Sequence, residues 1–248
     1  MKKIILTIVL ALSMATTSQA DFLGAEAGAV AWSPSLTGTI KGSSAIDANI
    51  NLEDNLEYSK DEINSFMWVY FDHFIPLIPN AKIQKTNYTA SSTSTDSITF
   101  DGKSYSNDVK SSLTLNQVDM IAYYRILDNW VNLDIGLNLK KIDGNIKLSD
   151  STNTIATDKN FNVTIPMLYA KARFDMPFTG LSVELDISKI AYSGNSLIDA
   201  KAGIVYQTSL GLGAITGIRE QTLTLDDIDN TYGDINIRGF YFGLFYHF

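Results

Sequence analysis

His73 and His247 are the only imidazoles in a chain of 248 residues that has no cysteine. Thiolate nucleophiles, thiolate metal sites and disulfides are therefore excluded, and an imidazole-rich site is too. Asp72-His73 has the composition of an acid–base pair. A serine beside an acid alone is a poor nucleophile because nothing takes its proton, so any hydrolytic site would have to use these two histidines. His73 just precedes the short, turn-like stretch 75–80, and His247 is one residue from the end. Both are expected on the side of the molecule away from its long loops, as polar residues at an interface, with no catalytic residue and no cofactor.

Two further sets of ionisable groups stand out. Glu26, Asp134, Lys171, Arg173, Glu184, Asp186, Lys201 and Arg219 occupy the polar phase of segments that alternate with period two. This even mixture of acids and bases could line a selective channel or fill a narrow one with ion pairs. A second set is acidic and lies in long polar stretches: Glu53, Asp54, Glu57, Asp61 and Glu62, then Asp226, Asp227, Asp229 and Asp234. Hard divalent cations bind through such oxygens. Asp227 to Gly233, however, puts its glycine seventh rather than sixth in the loop, so the expectation is a solvated acidic surface with no metal site.

The elements that position these groups begin after an export signal. Lys2 and Lys3, the apolar run from Ile4 to Met14 and the small residues of Ser18-Gln19-Ala20 predict a cleaved segment over 1–20 and one domain over 21–248. The apolar run is shorter than the ~20 residues that a spanning helix needs. Loss of Lys2 and Lys3 leaves 17 basic against 27 acidic residues, a net charge of about −10, which disfavours nucleic acid as a partner.

Strand periodicity dominates the mature chain. Phe240, Phe242, Leu244, Tyr246 and Phe248 alternate with Gly239, Tyr241, Gly243, Phe245 and His247, giving one continuous apolar face up to the terminus. Val131 to Leu139, Leu181 to Ile187, Ile198 to Tyr206 and Leu23 to Ala31 show the same alternation. Ser112 to Tyr124 changes phase, predicting a bulge near Gln117, with a similar slip around Pro166. Phe66 to Phe71 is apolar on both faces, and Ala81 to Ser94 is too polar for its register to be assigned.

The connections alternate in length. Short turns at 75–80, 127–129, 176–180 and 209–212 separate long polar stretches at 33–63, 95–108, 143–160 and 226–233, with 193–196 a short exception. Short turns on one side and long loops on the other are the pattern of an all-β, up-and-down antiparallel transmembrane barrel. Counting from Phe22 predicts ten strands and both termini on the periplasmic side; eight is the alternative, if the Ala81 or Gly213 segment fails to pair. Phe22, Phe74, Tyr123, Trp130, Phe174, Tyr206 and Phe248 are expected to form an aromatic girdle at that end.

Pro76-Leu77-Ile78-Pro79-Asn80, Tyr124 to Val131, Ile165 to Asp175, Tyr192 to Leu197 and the ending Tyr246-His247-Phe248 resemble an uncharacterised family of proteobacterial outer-membrane β-barrel proteins, one associated with the GlyGly C-terminal sorting system. The resemblance covers nearly all of the mature chain and implies location and fold, but no activity. This chain has no GlyGly tail of its own. The terminal strand resembles the signal read by barrel-assembly machinery, which implies that machinery as a partner alongside outer-membrane lipid and lipopolysaccharide. The expectation is a non-enzymatic outer-membrane barrel, either a narrow passive pore or a structural and surface protein. The alternatives are a barrel enzyme acting on envelope lipid or peptide and a binding module that uses its loops.

Overall fold

The computed structural model describes residues 23–44, 46–58, 62–75, 77–106, 108–150, 156–228 and 231–248. The expected export segment, Phe22, Asp61 and Asp229 lie outside these residues. Ten long strands form the wall: β1 (Leu23–Lys41), β2 (Asn64–His73), β3 (Asn80–Ser94), β4 (Val109–Asp128), β5 (Val131–Ser149), β6 (Ala156–Asp175), β7 (Leu181–Tyr192), β8 (Asn195–Gln207), β9 (Leu212–Ile228) and β10 (Thr231–His247). Each pairs antiparallel with its neighbours in sequence, and β10 pairs with β1 from Glu26↔His247 to Lys41↔Tyr232, closing the barrel. Both segments that left eight strands open are paired. Asn80 to Ser94 runs in register with Tyr123 to Val109, and Gly213 lies between Gln207 and Phe245.

The wall is staggered. From Ala29, paired positions lead through Met67, Lys85, Val118 and Lys141 to Thr164, high on β6. The opposite route, through Leu244, Ala214 and Tyr206, reaches Leu181 at the other end of β7. That offset is the shear that closure requires, and it tilts every strand.

Alternation sorts the side chains as the period-two reading demands. Phe240, Phe242 and Leu244 face outward and are 72%, 61% and 57% exposed, while Tyr241 and Phe245 between them are buried inside. Phe66, Trp68 and Tyr70 point inward, and Met67, Val69 and Phe71 outward, which resolves the doubly apolar strand. Neither expected irregularity is present. β4 pairs without a shift through Gln117, and β6 without a shift through Pro166; the one slip in β4 lies between Arg125 and Leu127. The hydropathy phase changes at Gln117 because the interior itself changes there. Gln117 and Asp119 face a polar lumen, whereas Leu113 and Leu115, on the same face, pack against an apolar core.

Three loops are shorter than expected, because β1, β5, β6, β9 and β10 continue well into the stretches 33–63, 143–160 and 226–233. Outward residues there are polar (Ser33, Ser35, Asp143, Asn145), so the hydropathy alternation stops while the backbone ladder continues. The Ser193-Gly194 connection is a two-residue hairpin with φ of 49° and 83°, the left-handed pair that suits the twist of adjoining strands.

Gly28 faces inward where the Trp68 ring crosses it; a Cβ there would lie 2.4 Å from the ring and 2.8 Å from the Phe245 Cβ. Gly28→Val is expected to cost about 1–3 kcal/mol through overpacking. A lowered urea midpoint, followed by tryptophan fluorescence, would register it.

Candidate functional site: the barrel lumen and its outer cap

Charged groups concentrate in the lumen at the end where β1 begins and β10 ends, while an apolar core lies beneath the long loops and continues down one side through Phe66, Trp68, Tyr70, Tyr241 and Phe245. At the terminal end, Arg125 bridges Asp72 at 2.8 Å and Asp134 at 3.0 Å, and Tyr123 donates a short hydrogen bond to Asp72. Arg173 pairs with Asp175 at 2.8 Å and Lys171 with Glu184 at 3.0 Å. Glu26 accepts hydrogen bonds from Trp68 Nε1 and Tyr70 OH, both at 2.9 Å, and His247 Nδ1 lies 3.8 Å from it.

Farther in, pairs reach across the barrel. Lys82 on β3 meets Asp186 on β7 at 2.7 Å, and Lys201 lies 3.4 Å from the other Asp186 oxygen while donating to Gln84 at 2.7 Å. Lys140 is held between Asp119 at 2.6 Å and Asp199 at 2.9 Å. Arg219 engages Asp199 through Nε at 3.0 Å and Nη2 at 2.7 Å, and donates through Nη1 to Thr86 at 2.9 Å. Gln117 and Gln221 bond to each other beside it. The guanidinium carbon of Arg219 is 5.0 Å from the Trp32 ring centroid and 4.7 Å from that of Phe66, so its faces meet aromatic rings while its edges satisfy oxygen.

Above Arg219 the filling becomes apolar. Trp32, Leu36, Tyr88, Ala90, Val109 and Leu148 form a buried core that continues into Ile50, Leu52 and Leu56 of the first loop and Ile98 and Tyr105 of the hairpin between β3 and β4. Polar ties hold this cap. Asp47 accepts from the backbone N–H groups of Asp101 and Gly102, both at 3.0 Å, and Tyr105 OH lies 2.5 Å from Thr157 Oγ1. Within the lumen, a cavity of about 110 Å³ lies at the terminal end among Asp72, Arg125, Asp134 and Lys171, room for a few waters. The larger hollows are on the rim and outer wall, the latter about 430 Å³.

The structure places all eight charged residues singled out in the sequence inside the barrel; seven have a partner of opposite charge, and Glu26 is held by hydrogen bonds from Trp68 and Tyr70. Sequence reasoning missed Asp72, Lys82, Asp119, Arg125, Lys140 and Asp199. Lys140 and Asp199 sit on the polar phase of clearly alternating segments and were legible there; Lys82 and Asp119 lie in segments whose hydropathy leaves the phase open. Asp72 belongs to the ion-pair cluster rather than to an acid–base pair. His73 instead faces the Pro79 carbonyl at 3.2 Å and accepts from the Ile75 N–H.

Among the described residues, the acidic loop side chains form no metal-binding cluster. Glu57 accepts from Ser94 and Glu62 from Ser91, and the described residues hold no group of three or more acids and histidines arranged for a metal. Of the expected girdle, Phe74, Trp130, Phe174, Tyr206 and Phe248 are exposed near the terminal end, but Tyr123 is buried in the lumen and Tyr124 faces outward instead. Ile121 shares the inward phase of Tyr123, so the local pattern Ile-Ala-Tyr-Tyr gave no clear choice of face.

No family model matches the sequence, and no curated protein is similar to it. Among solved structures, the barrel is similar to Ail, the attachment invasion locus protein of Yersinia pestis, solved in complex with the heparin analogue sucrose octasulfate. Identity is 10% and the TM-score 0.40, over 91% of this chain and 99% of that one. It is also similar to the translocator domain of the autotransporter NalP from Neisseria meningitidis, at 9% identity and a TM-score of 0.36, over 99% and 95% of the two chains.

Arg219→Met leaves the buried Asp199 with Lys140 as its one ion-pair partner among the described residues. A loss of about 3–5 kcal/mol is expected, against less than about 1 kcal/mol for Lys147→Met, which breaks an exposed 3.5 Å pair with Asp158. Urea titration of the refolded variants distinguishes the two.

Proposed function

We propose that this protein is an integral outer-membrane barrel that acts as a structural and surface protein, not as a pore and not as an enzyme. Support for the membrane comes from the outer wall. Met67, Val69, Ile83, Leu137, Leu168, Leu185, Ile204, Phe242 and Leu244 form an exposed belt around it, and a closed barrel leaves no unpaired strand edge to meet lipid. Short turns at the end with the termini support a periplasmic position for that end and an external position for the cap. The outward row Phe240, Phe242, Leu244, Tyr246 and Phe248 lies on the outer face of the closing strand, which supports its reading as an assembly signal.

One observation carries the choice against a pore: the lumen is filled, from the Asp72–Arg125–Asp134 cluster through the Arg219 level to the apolar core under the loops. Both histidines are tied to the terminal end, which supports a non-enzymatic role. What remains free for contact is the outer surface and the cap.

Planar-bilayer recording tests the proposal. Refolded protein is expected to insert without discrete conductance steps, insertion being shown by faster electrophoretic migration unboiled than boiled; regular steps from the inserted protein would overturn the closed-lumen reading. A separate test addresses the belt. Leu137→Arg should destabilise the barrel in vesicles by about 2–4 kcal/mol, the depth-dependent cost of a lipid-facing charge near mid-membrane. No loss in vesicles would argue that Leu137 does not face lipid.

A further inference from the structure

On four strands, the first outward residue beyond the apolar belt is a cation. Lys85 follows Ile83 on β3, Lys141 follows Leu139 on β5, Lys189 follows Ile187 on β7, and Arg238 precedes Phe240 on β10. Register places them at the upper margin of the belt. Lys85 lies between Met67 and Val118, Lys141 beside that same Val118, and Lys189 between Leu168 and Ile198. Lys85, Lys189 and Arg238 are exposed, and among the described residues no carboxylate lies within ion-pair distance of them. Lys141 is 3.4 Å from the exposed Asp143. The inward cations, by contrast, are all paired.

Arg238 also borders a built hollow. A groove of about 430 Å³ on the outer wall is lined by Ser33, Ser35 and Thr37 of β1, by Asn236, Arg238 and Phe240 of β10, and by Ile218 of β9. Hydroxyls and an amide line its upper part, while Phe240 and Ile218 lie toward the belt. Gly239, which carries no side chain, lies between Arg238 and Phe240 in the same lining. Glu220 stands opposite Arg238 in register and accepts instead from Asn236 Nδ2 at 2.6 Å.

We infer that this margin binds the phosphorylated sugar headgroups of the outer leaflet, with one glycolipid seated in the Arg238 groove and others held at Lys85 and Lys189. The inference rests on the outer-membrane reading proposed for the barrel. A lipid whose phosphates stand on a sugar headgroup fits the groove in order of depth. Its phosphate meets the guanidinium, its sugar hydroxyls meet Ser33 and Ser35, and its acyl chains descend over Phe240 and Phe242. A cation at the boundary of an apolar wall can keep its stem in lipid and its charge in the headgroup layer, where it attracts anions.

The test uses the full mature chain refolded into phosphatidylcholine vesicles with a small fraction of spin-labelled lipid A. Electron spin resonance measures the share of label immobilised at the barrel wall. Wild type is expected to favour lipid A several-fold over labelled phosphatidylcholine, and K85Q/K189Q/R238Q to lose about three- to five-fold of that preference. K41Q/K110Q/K147Q removes the same charge from cations six to eight residues farther out along the paired strands and is expected to leave the preference unchanged. Three results would overturn the inference: no preference in wild type, equal loss in both triple variants, or equal preference for phosphatidylglycerol at matched charge. A chain that fails to become heat-modifiable in vesicles would instead overturn the membrane reading beneath it. Those two failures are read from different measurements.

Discussion

Pairing of β10 with β1 over sixteen positions is the constraint on which the other features depend. A sheet of ten twisted strands left open would expose two rows of unpaired N–H and C=O groups, each costly in an apolar medium. Closing it satisfies them. It also determines the barrel's radius and stagger, and with them a tube just wide enough that side chains from opposite walls can meet. The lumen must then be either wet or filled.

This chain fills it in two ways that meet at Arg219. Toward the end where β1 begins, ionised groups neutralise one another: Lys82 with Asp186 across the tube, Lys171 with Glu184 on the adjacent strand, and Arg125 with Asp134 beside it and Asp72 two strands away. Toward the loops, aromatic and aliphatic side chains make a core of the kind found in water-soluble domains, extended by two loop segments that serve as its lid. Arg219 joins the halves because a guanidinium can stack its faces on Trp32 and Phe66 and still hydrogen-bond through its edge to Asp199. Lysine has no such flat face. The outer wall obeys a simpler rule, apolar along the belt and polar above it, with cations at the change on four strands.

Much of the fold was legible because a strand's period of two is local. Val131 to Leu139 and Phe240 to Phe248 announce their outward faces within nine residues, and alternation of short and long connections orders the strands. Reading failed where hydropathy and geometry part. At Gln117 and Pro166 the apolar phase switches although the backbone does not: beside Gln117 the lumen changes from polar to apolar, and above Pro166 the outward residues Thr164, Asn162 and Asn160 are polar. At Ser33 to Lys41 and Asp143 to Ser149 the ladder continues past the belt, where an outward residue gains nothing from being apolar.

The chain alone therefore determined which residues alternate, that the last strand presents a continuous apolar row, and that Glu26, Asp134, Lys171, Arg173, Glu184, Asp186, Lys201 and Arg219 share the inward phase. Partners were decided only in three dimensions. Lys82 meets Asp186 across 104 residues of sequence, Gln117 meets Gln221 across the same separation, and Arg219 reaches Thr86 across 133. Those contacts depend on how far the two ends of the sheet slide before closing. The stagger is a property of the whole ring, and no single segment of sequence contains it.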